Sequence, residues 1–485
     1  MSSAAFDFAA SNSEVSPAAL PDSLRGRILV AGAGVSGRGC ASVLLRLGAD
    51  VVVADGNADS RARLEADLSV TTIDAATANP ADYSLVVTSP GWAPSSPLLL
   101  AAAAAGVEVI GDVELAYRLD AASVFGAPRT WLAVTGTNGK TTTTGMLAAI
   151  MAADEQRSGK RSQAVGNIGT SPFDALAASP RVDVLVAELS SFQLHWSSQL
   201  RAEVGVLLNL ADDHLDWHGS FGAYAEAKAK VLAGAHAVIG RDDSQVREYA
   251  DAAAERGALS PDTHAFTHTI PNDGEVGVID GQLVINNVAG VSATVIDDVT
   301  ALQPSGMAGI LDAAAAACAA LLAGAEPASI TEGLESYTVA GHRGELVHRH
   351  NGIAFIDNSK ATNPHAAEAA MRGLDNVVWV AGGQLKGADV SDLLDAHAER
   401  LKAAVVMGVD KQVLYDALQQ RGVATTVIES TDPLRAMEEA VTVAVQHAEP
   451  GDTVLLAPAG ASLDMYQGMA QRGDFFAAAA QRIAR

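Results

Sequence analysis

Thr135-Gly136-Thr137-Asn138-Gly139-Lys140-Thr141-Thr142 gathers glycines, an ammonium and several hydroxyls into one short stretch. It follows the apolar run 130–134 and precedes a helix predicted over residues 146–152. Backbone N–H groups of such a loop can cradle phosphates. A lysine there reaches the β- and γ-phosphates of a nucleoside triphosphate, and a hydroxyl can hold Mg²⁺. Val134 stands where the commonest phosphate loop has its first glycine. Glu188 ends the apolar run 182–189, and a carboxylate at a strand's carboxyl end beside a phosphate loop is placed to hold Mg²⁺. Asp212, Asp213, His214, Asp216 and His218 then share one predicted loop. The i, i+4 histidines invite zinc, but the Glu of H-E-x-x-H is missing, which favours a magnesium-side role for His214.

A second glycine turn, Gly32-Ala33-Gly34-Val35-Ser36-Gly37, lies between a strand and a helix, with Asp55 at the end of the next strand. The spacing fits NAD, another nucleotide diphosphate using the same physics, or a tight turn without ligand. Ser89-Pro90-Gly91 adds a glycine turn at the same sheet edge. Near the C-terminus, Asp357-Asn358-Ser359-Lys360-Ala361-Thr362-Asn363 offers an ammonium and hydroxyls just before a predicted helix. Lys386 in GGQLKGAD and Ser462 in APAGASLD follow two further strands, so the three loops could converge on one small acid. Lys228 sits on a predicted helix (224–232), where a lysine is ordinarily solvated and inert.

Short β-branched runs separated by helix-length segments carry these loops, the pattern of parallel sheets covered on both faces. The class is α/β. The 485 residues exceed what one core serves, and separate glycine turns argue for three units. The predicted division is a polar tail (1–24), a Rossmann-like N-terminal domain (25–113), a central P-loop ATPase-like domain with a mixed sheet (114–339) and a Rossmann-like C-terminal domain (340–485). An Asp280-Gly281 turn predicts an antiparallel hairpin in the centre, and residues 311–324 read as a buried helix. With 32 Lys+Arg against 57 Asp+Glu the net charge is −25, which excludes a nucleic-acid partner. Cys40 and Cys318 alone make neither a disulfide framework nor a cysteine zinc site, as expected of a reducing cytoplasm. No apolar run is long enough to span a membrane, and no secretory leader is legible.

TGTNGKTTTT, GNIG (166–169), ELSSFQL (188–194), the DDHLD loop, GHR (341–343), DNSKATN, GGQLKGAD and APAGASLD occur in this order, and together they resemble the Mur ligase family of peptidoglycan precursor synthesis. DNSKATN resembles the D-glutamate-adding branch. The resemblance implies ATP held by Gly136, Thr137, Asn138, Gly139, Lys140, Thr141, Thr142 and Arg343, with Lys140, Lys228 and His214 serving catalysis. It implies two Mg²⁺ ions near Thr141, Glu188, His214 and a CO₂-derived carbamate on Lys228. UDP-N-acetylmuramoyl-L-alanine would lie against Val35, Ser36, Gly37, Asp55, Gly91 and Asn167, and D-glutamate against Lys360, Thr362, Lys386 and Ser462. A cytoplasmic monomer is expected. Three positions depart from the family pattern: residues 306–312 lack both asparagines of a His-Asn-x-x-Asn segment, Asn358 replaces a common Asp, and Met469 replaces an aromatic. Other readings are a folylpolyglutamate-type ligase, which needs no UDP loop, a dehydrogenase, which leaves Lys140 and Glu188 idle, and a nucleotide-sensing scaffold.

Overall fold

The computed structural model describes residues 21, 24–168, 170–339 and 341–483. The predicted tail lies almost wholly outside the described residues, as do Gly169 of GNIG and residue 340, the predicted start of the last domain. Two compact units emerge: one holds the chain up to Ile296 with Ala314–Leu334, the other Asp297–Ala313 with Glu335–Arg485.

The first unit contains two sheets. Five parallel strands run in the order Thr71–Asp74, Asp50–Asp55, Arg27–Ala31, Leu85–Thr88, Val109–Gly111. The larger sheet has nine strands: Val291–Ile296, Gln282–Val288, Glu275–Ile279, Asp262–Phe266, His236–Gly240, Val204–Leu207, Thr130–Thr135, Val184–Glu188 and Ser162–Gly166. Its first two strands are antiparallel additions and the remainder is parallel. The hairpin turns at Asp280 and Gly281, both in the left-handed region (φ 50° and 79°), the geometry that matches strand twist in a two-residue turn. Runs such as Ile28–Ala31, Val51–Ala54 and Val184–Glu188 are buried along their length because helices cover both faces.

Helix Asp112–Ala121 follows the smaller sheet and is buried almost all round. Its Val113, Leu115 and Leu119 join one apolar core that runs from Ile28 and Val53 to Trp131 and Leu185. Glu114 is fully buried there. It accepts from Arg118 Nε at 2.8 Å and from the backbone N–H groups of Gln199 and Leu200 at 2.8 and 3.1 Å, so its charge is paired as burial requires.

The second unit holds a six-stranded sheet in the order Glu345–His350, Ile353–Asp357, Thr453–Ala459, Val377–Gly382, Leu401–Met407, Thr425–Val427. It is parallel except for its first strand. The predicted Ala-rich helix spans Met307–Leu322, with Ala313–Ala320 buried, and from Ala314 onward it counts with the first unit. Among the described residues no helix is long and apolar enough to cross a membrane.

Candidate active site

Strand Thr130–Thr135 delivers the chain into the phosphate-loop segment, and Gly139 caps helix Lys140–Ser158. The predicted helix thus begins at the loop's own lysine. Lys140 Nζ donates to the carbonyls of Gly136 and Thr137, each at 2.8 Å, so the ammonium lies folded across the loop where an incoming phosphate would compete for it. Thr141 Oγ1 donates to Glu188 Oε2 at 2.6 Å, and Asn167 Nδ2 donates to Glu188 Oε1 at 2.8 Å. The carboxylate is 2% exposed. Hydroxyl and carboxylate oxygens gathered beside a phosphate loop are the hard donor set that Mg²⁺ takes, so these residues fit the ion.

Lys228 is 2% exposed, against the ordinary expectation for a helical lysine. It lies on helix Phe221–Ala229, and its Nζ donates to Gly136 O at 2.7 Å and Thr135 Oγ1 at 3.3 Å. Its ammonium position is 4.9 Å from the centroid of the Tyr224 ring. Burial, and then the charge of Lys140, push its pKa well below the usual lysine range, while Asp213 and Glu188 pull the other way. The shift is toward the neutral amine.

Both histidines of the acidic loop lie against Phe192 of the ELSSFQL segment, with ring centroids 4.7 and 5.7 Å away. His218 Nε2 lies 3.0 Å from Ser191 Oγ, on the ELSSFQL side. His214, left-handed at φ 54°, keeps a half-exposed ring 4.7 Å from Phe192, with Asp213 3.5 Å from its Nε2. Ser190 caps helix Ser191–His195 through a reciprocal box with Gln193, which holds the segment after Glu188 in place. Among the described residues, the one three-residue His/Cys/Asp/Glu group close enough to share a cation is His342, Glu345 and Asp357, in the other unit.

At the first glycine turn, both oxygens of Asp55 are engaged at 2.7 Å, Oδ2 by Ala33 N–H and Oδ1 by Asn57 N–H. The carboxylate therefore braces the turn itself, and a ribose contact would be added to those bonds. A Cβ on Gly37 would sit 1.8 Å from the Gly32 carbonyl oxygen, so only glycine lets the helix start this close to the turn. Val35 is largely exposed, Ser36 bonds the buried Asp112, and open space surrounds Gly91. Ser89 Oγ is buried without a partner facing Gly32, an orphan that a ligand in the turn could satisfy.

In the second unit the three C-terminal loops meet at the carboxyl edge of the sheet. Gln384 and Ala461 exchange backbone hydrogen bonds at 2.8 and 2.9 Å, joining the loops of Lys386 and Ser462. Arg472 is 2% exposed. Its guanidinium donates to Ser359 Oγ and O at 3.0 and 2.8 Å, to Gly460 O at 3.0 Å and to Gly382 O at 3.3 Å. Burial brings its pKa down to about 10. Ser462 is buried, Lys360, Thr362 and Arg343 half-buried, and Lys386 exposed. The structure thus gathers Lys140, Thr141, Asn167, Glu188 and Lys228 in one unit, and Lys360, Thr362, Lys386 and Ser462 in the other.

Arg472, Tyr224 and Asn209 were not legible as site residues. Tyr224 Oη is 2.8 Å from Thr137 Oγ1, and Asn209 brackets Asn138. Only Asn209 carried a local signal, its place just past a strand's carboxyl end.

Comparison with known proteins agrees with this architecture. Residues 26–111 match the model of the Mur ligase MurD-like N-terminal domain, 134–270 the Mur ligase middle domain, and 342–460 the Mur ligase glutamate ligase domain. The UDP-N-acetylmuramoylalanine--D-glutamate ligase of Corynebacterium efficiens is 54% identical over 97% of both chains. Its counterpart in Corynebacterium diphtheriae is 53% identical, over 95% of this chain and 96% of that one. Among solved structures, the pseudomurein peptide ligase type C of Methanothermus fervidus superposes with a TM-score of 0.55 at 16% identity, covering 95% of this chain and all of that one. The UDP-N-acetylmuramate-alanine ligase of Thermotoga maritima gives 0.53 at 18%, with the same coverage. These two share the fold. Identity above half, sustained from end to end and laid over three domain matches in sequence, means that the chain belongs to the Mur ligase family.

Proposed function

We propose that this protein is the ATP-dependent ligase that joins D-glutamate to UDP-N-acetylmuramoyl-L-alanine in the synthesis of peptidoglycan precursors. The observation that carries the reading is the cluster of half-buried Lys140 and Thr141 with buried Glu188 and Lys228 around one phosphate loop, in a chain 54% identical over 97% of its length to a ligase of that name. The folylpolyglutamate-type reading leaves the glycine turn at Gly32–Gly37 without work, and a dehydrogenase leaves the phosphate loop without work.

A carboxylate is a poor electrophile, so the terminal carboxyl of the muramoyl-alanine must first take the γ-phosphoryl group of ATP. Loop residues 136–142 hold the triphosphate in this reading. Lys140 exchanges its carbonyl partners for phosphate oxygens and offsets the charge developing on the transferring group. Arg343 is assigned to the nucleotide as well. The amine of D-glutamate then attacks the acyl phosphate and inorganic phosphate leaves. Lys360, Thr362, Lys386 and Ser462 receive D-glutamate, whose carboxylates suit ammonium and hydroxyl donors. Val35, Ser36, Gly37, Asp55 and Gly91 line the uridine diphosphate end, and Asn167 lies beside Glu188.

Two Mg²⁺ ions, when bound, would neutralise phosphate charge and align the oxygens of the displacement. Thr141, Glu188, His214 and a carbamate on Lys228 are the residues that would hold them. The downward shift at Lys228 supports the carbamate: the neutral amine is the form that adds CO₂, with loss of a proton, and the product places an anion at this buried position. In this reading the reaction takes place in the cytoplasm and the protein acts as a monomer.

Phosphate release tests the reading. ATP, Mg²⁺, UDP-N-acetylmuramoyl-L-alanine and D-glutamate together should release phosphate at a steady rate, and leaving out any one should stop it. Turnover that ignores the sugar nucleotide would overturn the assignment.

A further inference from the structure

We infer that Asn209 is a positioning residue that sets the shape of the phosphate loop and ties it to the Asp212–His214 loop. Strand Val204–Leu207 ends two residues before Asn209, yet its pairing does not stop there. Leu208 N–H donates to Thr135 O at 2.9 Å, and Thr137 N–H donates to Asn209 O at 2.9 Å. The side chain continues the ladder. Asn209 Oδ1 accepts from Asn138 N–H at 2.8 Å while Asn209 Nδ2 donates to Asn138 O at 3.1 Å. A carboxamide has one acceptor end and one donor end, so it copies a strand residue and satisfies both backbone groups of Asn138 at once.

Two neighbours extend the zip. Ala211 N–H donates to Thr137 Oγ1 at 2.9 Å, and that oxygen also meets Tyr224 Oη at 2.8 Å. The backbone approach is close: a Cβ on Gly136 would stand 2.8 Å from Leu208 Cβ. Residues 135–138 are therefore registered against 208–211, and Asp212, Asp213 and His214 follow directly. With Asn138 N–H and C=O both held, the loop's remaining N–H groups are aimed before any phosphate arrives. Such preorganisation lowers the ordering cost of binding. No other residue type of similar size supplies this pair: Asp offers two acceptors and sets one against the Asn138 carbonyl, whereas Leu offers none.

The inference rests on residues 136–142 binding ATP, and the test separates the two. ATP binding to the full-length protein is measured by calorimetry for the wild type, Asn209→Ala and Asn209→Asp, alongside steady-state kinetics and thermal melting. The expected result is a roughly 10- to 100-fold weaker ATP affinity for Asn209→Ala, the loss of two hydrogen bonds. The D-glutamate KM should stay within about twofold. Asn209→Asp should bind ATP more weakly than the alanine variant and recover part of its affinity at low pH, where a protonated carboxyl can again donate. A merely structural asparagine would lower the melting temperature and reduce kcat without moving the ATP affinity alone, and that outcome overturns the inference. Wild-type protein that fails to bind ATP overturns instead the reading on which it rests.

Discussion

Removing the Lys228 amine is the perturbation with the sharpest consequence. Nζ is held by Gly136 O at 2.7 Å and Thr135 Oγ1 at 3.3 Å, on a side chain that is 2% exposed. In Lys228→Ala those two bonds are lost, at about 0.5–1.5 kcal/mol each. The loss is offset because a buried ionisable group goes with them. Its pKa lies well below the ordinary 10.5, so the folded state binds fewer protons than the unfolded chain between those two values. Stability contributed by this group therefore falls as pH drops through that window, and the alanine variant escapes the penalty. Net stability at neutral pH should change by no more than about 2 kcal/mol. Activity should behave otherwise. Removing one charge-stabilising group from such a site costs on the order of 10²–10³ in kcat. Phosphate release is the assay, with urea unfolding in parallel. Small carboxylates such as acetate or formate should restore part of the lost rate by occupying the space of the carbamate. Wild-type enzyme stripped in CO₂-free buffer at mildly acid pH should regain activity on adding bicarbonate. Full activity of Lys228→Ala at unchanged stability would refute the reasoning.

Further predictions concern the second unit. Arg472→Met should leave the oxygens of Ser359, Gly382 and Gly460 buried without their donor, costing about 3–5 kcal/mol in urea unfolding. In protein that remains folded, the KM for D-glutamate should rise while that for ATP holds. The hydrogen bond from His342 Nδ1 to Asp357 Oδ2 at 2.7 Å raises the imidazole pKa above its usual 6.5. A raised folded pKa stabilises below the unfolded value and loses its effect as pH rises through the folded one. His342→Gln should therefore cost more stability at pH about 5.5 than at about 8.5, read by denaturant midpoint; an equal cost at both would contradict the pairing.

Legibility in the sequence followed the range of the forces involved. The parallel sheets, the phosphate loop and the Asp280-Gly281 hairpin were readable because strand composition, glycine spacing and turn preference are local. Glu188 was readable from its place at a strand end. Lys228 was reached only through the family resemblance, since nothing beside it in sequence shows that Tyr224 and the carbonyl of Gly136 will enclose it. Asp55 was read as part of a nucleotide diphosphate site, and the bracing of Ala33 and Asn57 by its oxygens, decided by the fold of the turn, left no sign in the sequence. Arg472 lies on helix Met469–Ile483, and its partners sit 12 to 113 residues away in the chain. Tertiary pairing of that kind leaves no periodicity to find.

The central claim is that an activated carboxyl is joined to one particular amino acid. Mass analysis of the product tests it most directly, after incubating the protein with ATP, Mg²⁺ and UDP-N-acetylmuramoyl-L-alanine and, in separate reactions, D-glutamate, L-glutamate or meso-diaminopimelate. The account predicts a new amide-linked species with D-glutamate and little with the other two. Equal product from L-glutamate or meso-diaminopimelate, or ATP consumed without any amide, would contradict it.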